Sequence, residues 1–472
     1  MNLAAPLVRT PSAAGLTRRD FLSTSARLGA VITAAPQLAR AAVSSPDTLN
    51  VAIVGCGAQG LVLMNAVLLI PGLRLKAFCD LWPQRRQRAV GLARKYGHEA
   101  NGFADYRELL AGTEHLDAVI VATPDFRHAE HTNAALRAGC HVYCEKLMSN
   151  TVEGARSMVL TARATGKLLQ IGHQRRSNPC YLHARDRLLR EAHLLGRITS
   201  ASGEWHRRAS DDIAAAPGSE VPPDVLERHG FASMHELLNW RWYRRFAGGP
   251  ISDLGAHQID MFNWMLDAQP RALVASGGTD YYRQHEWYDN AVAVYEYPTP
   301  QGLVRATYDV LTTTSAGGGY HEYFMGDQGA LKISENPSFT KVYREPNAPD
   351  WEPLLERQLL RNVGDDGTSE LKPWEKPRRR LLNTLAARPK APRDPTVVDI
   401  RDSLPGSVYE LPVTTTAIHQ PHLENFFAAI RHGTPLACPG ESAFATAVTV
   451  LRVNEAIAAE RKLTFAPGDF VV

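Results

Sequence analysis

Gly55, Gly57 and Gly60 stand at G-x-G-x-x-G spacing within the run "VAIVGCGAQGLVLMNAVLLI". This spacing allows a sharp turn after a strand, a close approach of backbone to a pyrophosphate, and tight packing of the next helix on the strand. With Ala58 and Gln59 in the same turn, the unpaired N–H groups and positive dipole of the helix end would face the phosphates. Asp80, twenty residues after Gly60, closes the run "LRLKAFCD", where a carboxylate is expected to bind ribose hydroxyls. The chemistry indicated is dinucleotide binding. A 2′-phosphate would be repelled by Asp80, so NAD is favoured over NADP; the neighbouring Arg85 and Arg86 keep NADP as the alternative.

Several elements must position these residues. Residues 49–54 are β-branched-rich and read as a buried strand; residues 61–70, bounded by Pro71-Gly72, read as a buried helix. Helical and strand patterns then alternate: "PQRRQRAVGLARKYG", "LDAVIVATP", "RHAEHTNAALRAGC", "HVYCEK", "TVEGARSMVLTARATG" and "KLLQIGH". Such alternation predicts a doubly wound parallel sheet over residues 48–172, an α/β Rossmann domain. From residue 173 to 472 the pattern changes. "GRITSASGEWHRR", "ALVASGGTDYY", "NAVAVYEYPTPQGLVRATYDVL" and "YHEYFMGDQGALKIS" read as strands around one clear helix at 253–266. The expectation is an α+β domain with a large, mostly antiparallel sheet. Residues 335–411 are Pro- and Arg-rich with weak periodicity and read as an insertion or long loop, and "HLENFFAAIRHG" and "SAFATAVTVLRVNEAIAAE" as closing helices. No internal repeat is found.

The first 41 residues belong to none of this. "LTRRDFLSTSARLGAVITAAPQLARAA" holds Arg18-Arg19, a mildly apolar stretch too short to span a membrane, and an Ala39-Arg40-Ala41 cleavage pattern. It resembles a twin-arginine export signal, which implies a periplasmic or otherwise exported protein. Residues 1–41 carry five arginines and one acid, so the remainder has 47 basic against 48 acidic side chains, and the formal +3 of the whole chain is mostly signal. Such a balance gives no reason to expect nucleic acid or a membrane surface as partner. Six cysteines lack paired metal-ligand spacing, so no metal site is expected. Cys56, Cys79, Cys140 and Cys144 read as core thiols, which a protein exported already folded can keep reduced.

Three runs, "VAIVGCGAQG", "DAVIVATPDFRHAEHTNAALRAGCHVYCEK" and "GGPISDLGAHQIDMFNW", together resemble the glucose–fructose oxidoreductase, inositol dehydrogenase and rhizopine-catabolism (Gfo/Idh/MocA) family. The resemblance implies a nicotinamide cofactor in a cleft between two domains, and a homo-oligomer (dimer or tetramer) through the C-terminal sheet. It places Lys146 at the lysine of the family's E-K-P motif, near the nicotinamide and the reacting hydroxyl. It places Asp253 and His257 at the acid and histidine of a D-x-G-x-H pattern, the histidine taking the hydroxyl proton. Thr123, Pro124 and His128 match the loop passing the cofactor, and Glu145 precedes the lysine. Leu147 stands where the family has proline, and Asp125 where it has asparagine.

Oxidising an alcohol needs a base with a pKa near working pH, which a histidine supplies. Asp253, four residues before His257, would share its helix face and could bind a second hydroxyl or hold the imidazole. Lys146 would stabilise developing alkoxide charge. Asp260 is a weaker candidate, which pairing with a neighbour would explain. For substrate, Arg176 follows a strand end of the nucleotide domain in "GHQRRSNP", beside His173, Gln174 and Arg175, with a salt bridge as the competing explanation. Trp205 and Tyr243, with His206, Trp240 and Arg241, offer aromatic faces suited to a sugar, an aromatic core being the alternative. His419 and His422 are further cleft candidates. The leading function is an NAD(P)-dependent oxidoreductase of a sugar, cyclitol or related polyol; the alternative is a redox-neutral glycosidase using NAD transiently, and a third is a non-catalytic sugar-binding protein.

Overall fold

The computed structural model describes residues 48–315, 319–363, 407–413 and 417–472. The expected export signal at 1–41, and residues 364–406 of the expected insertion, lie outside them. Six strands, β1 (Leu49–Val54), β2 (Leu73–Cys79), β3 (Asn101–Phe103), β4 (Ala118–Val121), β5 (His141–Cys144) and β6 (Leu169–Ile171), form a sheet in the order β3-β2-β1-β4-β5-β6. All its pairings are parallel. Strands β1 and β4 are fully apolar at their centres because helices cover both faces of the sheet. The strand order reverses between β1 and β4, and ligands bind outside the strand ends at such a switch point. The glycine turn after β1 and Thr123-Pro124 after β4 both lie there.

The second sheet has ten strands: β7 (Ile198–His206), β8 (Ala272–Gly278), β9 (Asn290–Thr299), β10 (Gly302–Leu311), β11 (Tyr320–Gly326), β12 (Gly329–Ile333), β13 (Lys341–Arg344), β14 (Arg361–Asn362), β15 (Ser407–Glu410) and β16 (Leu463–Thr464). Their order is β14-β15-β13-β12-β11-β7-β10-β9-β8-β16. Only β7 with β10 is parallel. Burial alternates along β9 and β10, so one face is covered and the other open. The covered face packs on the helices Ala256–Leu266 and Gly440–Ala459, with Phe262 set edge-on to Tyr297 and Phe324.

Two expectations need correction. The stretch 335–411 is not wholly a loop: 341–344, 361–362 and 407–410 are strands that extend the second sheet. Their local periodicity is weak because each is only two to four residues long. The domains are also not divided cleanly at 172. The helix Gln420–His432 buries Leu423, Phe426 and Phe427 against Val51, Ile53 and Tyr143 of the first sheet, so a late segment completes the nucleotide domain's core. All six cysteines are buried free thiols.

Candidate active site

A cleft of about 1090 Å³ is lined by residues of both domains. On the nucleotide side, Gly55 takes φ +97°, a backbone conformation that favours glycine, and a Cβ there would lie 2.5 Å from the Ala122 carbonyl oxygen. At Gly60 a Cβ would fall 1.9 Å from the Gly55 oxygen, so this glycine serves close packing and does not line the cleft. Gly57 caps the helix Ala58–Val67 without a side-chain bond to its first N–H groups, and the nearest atom to a Cβ there is Arg85 Nη1 at 3.5 Å. An open helix end beside a guanidinium fits a pyrophosphate. Asp80 is held at the end of β2 by N–H donors: Cys56 to Oδ2 and Trp82 to Oδ1, both at 2.8 Å. Burial pushes its carboxyl pKa up against the charge of Arg85, and each oxygen retains lone-pair capacity for ribose hydroxyls. Arg86 donates to the Asp80 carbonyl at 2.7 Å, and Arg85 lies over Trp82. These residues fit NAD. Asp80→Ala is expected to weaken NAD binding about tenfold or more, since charge-assisted bonds are lost, and to narrow the preference over NADP. Fluorescence titration with both nucleotides checks this; unchanged affinity and selectivity would remove Asp80 from the site.

Gln59 lines the cleft and donates from Nε2 to Glu145 Oε1 at 3.0 Å, with His419 Nε2 3.1 Å away. Thr123 and Pro124 line it as well; Thr123 Oγ1 lies 3.1 Å from His131 Nδ1. His128 reaches the cleft, but each ring nitrogen sits 2.7 Å from a carbonyl, that of Leu147 and that of Thr123. It ties the segment carrying Lys146 to the loop after β4. The Lys146–Leu147 peptide is cis.

Lys146 and His257 come from opposite domains and meet in this cleft. The helix expected at 253–266 is an α-helix over Ala256–Leu266 preceded by a wide π-type turn, Ile251–Gly255. Such turns recur at functional sites. Gly203 of β7 permits the approach of this helix: a Cβ there would lie 3.0 Å from both Gln258 and Phe262. His257 thereby comes beside Trp205, with ring centroids 5.7 Å apart, and Trp205 stacks on Tyr320 at 4.5 Å. His257 is buried, its Nδ1 has no partner among the described residues, and burial together with the charges of Lys146 and Arg175 holds its pKa well below the usual histidine range. The ring is therefore neutral at pH 7.

Asp253 does not hold that ring. Its Oδ1 accepts from Arg241 Nε at 3.0 Å, Arg207 lies 3.8 Å from Oδ2, and Lys146 Nζ lies 3.9 Å from Oδ1 while donating to the Asp253 carbonyl. Burial opposes its ionisation, yet Arg241, Lys146 and Arg207 together hold its pKa far below the usual carboxylate range. Asp253 thus positions Lys146 and balances its charge. Nearby Asp125 accepts from Ser252 Oγ at 3.2 Å, and burial pushes its carboxyl up to about 7 despite Lys146.

Two residues expected at the substrate are elsewhere. Arg176 is buried outside the cleft lining and pairs in bidentate fashion with Asp260, at 2.9 and 2.6 Å, because both are sequestered from water and each needs a counter-charge. Asp260 is therefore a structural partner. Tyr243 also stays outside the lining; its hydroxyl contacts His235 Nδ1 at 2.8 Å while its ring packs in the apolar cluster around Phe246. Trp205, Trp240, Arg241, Gln174 and His419 do line the cleft. His422 does not, being buried between Ser177 Oγ (2.7 Å) and the Ile171 carbonyl (2.9 Å). His173 is also buried, with burial lowering its pKa to about 4. Arg175 is taken up by Glu322 and Glu335. Arg207, Tyr320 and Glu335 were not anticipated at the cleft. The β11–β7 register sets Tyr320 opposite Trp205, a relation that no local pattern signals.

A switch-point dinucleotide site on the domain that supplies Lys146, facing a second domain that offers a neutral imidazole to the same cleft, defines the class: a two-domain nicotinamide-dependent oxidoreductase. Residues 49–173 match the model of the oxidoreductase family with the NAD-binding Rossmann fold, and residues 184–332 match the Gfo/Idh/MocA C-terminal domain. The chain belongs to the Gfo/Idh/MocA family of oxidoreductases. It is 30% identical over 252 residues to 1,5-anhydro-D-fructose reductase of Ensifer adhaerens, covering 52% of this chain and 67% of that protein. It is 33% identical over 227 residues to D-glucoside 3-dehydrogenase of Escherichia coli, covering 48% and 56%. To inositol 2-dehydrogenase of Paracoccus denitrificans it is 34% identical over 222 residues, covering 47% and 55%. The matches to these two dehydrogenases therefore span little more than half of the relatives' lengths. Among solved structures, levoglucosan dehydrogenase with NADH and L-sorbose superposes with TM-score 0.61 at 17% identity, over 89% of this chain and 99% of that one. The WlbA dehydrogenase of Bordetella pertussis with NADH and UDP-GlcNAcA gives 0.62 at 16% identity, over 89% and 98%. Both are likenesses of fold.

Proposed function

We propose that the protein interconverts a secondary alcohol and a ketone on a sugar, cyclitol or related polyol, using a tightly held NAD. The observation that carries this reading is the neutral, buried His257 with an unpartnered ring nitrogen, in the same cleft as Lys146. The imidazole takes the hydroxyl proton, and Lys146, anchored by the Asp253 carbonyl, stabilises charge growing on the oxygen. NAD, when bound, supplies the hydride acceptor. Trp205 and Tyr320 offer faces for the C–H surface of a ring. The relatives named above, which include a glucoside and an inositol dehydrogenase, support the substrate class. The test is nicotinamide absorbance on a panel of sugars and cyclitols, with the mass of any co-purifying nucleotide. Net NADH formation is expected; hydrolysis of an aryl glycoside with no net NADH would replace this reading with the redox-neutral glycosidase.

Export by the twin-arginine route is part of the proposal, supported by the T-R-R-x-F-L run at Thr17–Leu22. Arg18→Lys with Arg19→Lys is expected to leave an uncut precursor in the cytoplasm, read by fractionation and immunoblot; a processed, exported double variant would refute the signal. A second copy of the chain is proposed to cover the open face of the second sheet, where Val274 of β8 and Val292 of β9 are 45% and 48% exposed. Light scattering of the native protein tests it, and a monomer mass would dismiss it.

A further inference from the structure

Behind Asp253 the cleft continues into a smaller pocket of about 200 Å³. The two spaces share Arg207, Ile213, Leu238, Arg241, Asp253 and Leu254. The partition between them is thus the Asp253–arginine cluster, and no residue of the nucleotide domain lines the smaller space. Whatever enters it belongs to the substrate side, away from the glycine turn that receives a pyrophosphate.

The two guanidinium groups are only partly engaged. Arg241, with its side chain 46% exposed, uses Nε on Asp253 and lies over Trp240; its Nη groups have no hydrogen bond among the described residues. The Arg207 guanidinium, 52% exposed, has only the 3.8 Å contact with Asp253 among the described residues. Lys146 is a third cation directed at the same carboxylate. Opposing charge is limited. Asp253 is shared among all three, and burial pushes the carboxyl of Asp125 up to about 7. Asp212 is taken by His235 and His285, each at 2.9 Å, and Asp211 sits exposed at the rim. Two adjacent guanidinium groups with open N–H positions match the geometry of a carboxylate or phosphate.

We propose that Arg207 and Arg241 bind an anionic group of the substrate, a carboxylate or a phosphate, so that the sugar turned over is an acidic one. The inference rests on the sugar-oxidoreductase reading above and narrows its substrate class. Arg241 holds the anion while its Nε keeps Asp253 in place, and Arg207 closes over it from the end of β7. The reacting ring then lies on the Trp205 side, toward His257 and Lys146.

Calorimetric titration of the NAD-saturated full chain with glucuronate, glucose 6-phosphate and glucose tests this. At least one acid is expected to bind about tenfold or more tighter than glucose, with an advantage that shrinks as salt rises. Preference for glucuronate identifies a carboxylate site, preference for glucose 6-phosphate a phosphate site. Arg207→Gln, at an exposed position with one long contact, is expected to lose about tenfold in affinity for the preferred acid while glucose and NAD stay within about twofold. Arg241→Gln gives a second, independent loss. Equal binding of acids and glucose, no binding of either acid, or an acid preference that survives both substitutions overturns the proposal. Because the readout is binding, acid binding without NADH formation would count against the oxidation and leave the anion site standing. Oxidation of neutral sugars with no acid preference would do the reverse.

Discussion

His257→Ala is expected to lower turnover by about 10²–10⁴-fold, the usual cost of removing a positioned proton-transfer group, while NAD binding stays intact. The argument is geometric first. The helix Ala256–Leu266 approaches the second sheet at Gly203, so the imidazole stands beside Trp205 in the cleft that Lys146 enters from the other domain. The buried Nδ1 of His257 has no partner among the described residues, which leaves it open to a substrate hydroxyl. The charge state follows from the surroundings. Burial, then Lys146 and Arg175, hold the pKa well below the ordinary 6.5. The unprotonated ring is the competent form, so activity is lost as pH falls through this lowered pKa. The acid limb of kcat/KM should therefore lie below pH 6.5, and it should vanish in the variant. Near-normal turnover in His257→Ala, with a nucleotide titration confirming a loaded site, would reassign the base.

Arg176→Ala is expected to destabilise the fold by about 3–5 kcal/mol, the range for breaking a buried ion pair from one side. Asp260 is fully buried. Its oxygens accept two bonds from Arg176 and one from Thr446 at 2.7 Å, with His173 Nδ1 3.7 Å away. Burial alone would raise its pKa, but Arg176 above all lowers it to about 2. A carboxyl depressed in the folded state contributes stability above its unfolded pKa near 4, and that contribution is lost as pH falls toward 2. The denaturant midpoint of Arg176→Ala should therefore fall at pH 7 and converge on the parent's at low pH. A variant with an unchanged midpoint and a raised KM would return Arg176 to the substrate, where sequence reasoning had placed it.

That misplacement marks where local reading stopped. "GHQRRSNP" follows a strand end at the crevice side, so Arg175 and Arg176 both qualified for a ligand. The decision lay with partners far along the chain: Asp260 for one, Glu322 and Glu335 for the other. Asp253 shows the same limit in another form. Its four-residue spacing from His257 was readable and suggested mutual contact. The side chain instead turns to Arg207, just past the end of β7, and to Arg241 of the turn Trp240–Trp242, because three cations outweigh a neutral ring as partners for a buried carboxylate. His419 and His422 were indistinguishable in sequence, yet one faces Gln59 in the cleft and the other is sealed against Ser177.

What the sequence determined by itself is whatever short-range physics dictates. The glycine spacing required a turn that no other residue type accommodates at Gly55. Strand runs alternating with helical patterns required a doubly wound parallel sheet, and the strand runs that follow around one clear helix required a second, mostly antiparallel sheet. Tertiary structure alone decided the composition of the cleft. Lys146 and Asp253 meet across 107 residues, Gln59 and His419 across 360, and Tyr320 stands opposite Trp205 only because β11 pairs with β7 in that register. The physical reason is that charge pairing and strand register are settled by which groups are buried together. That is a property of the packed chain, and no window of neighbouring residues contains it.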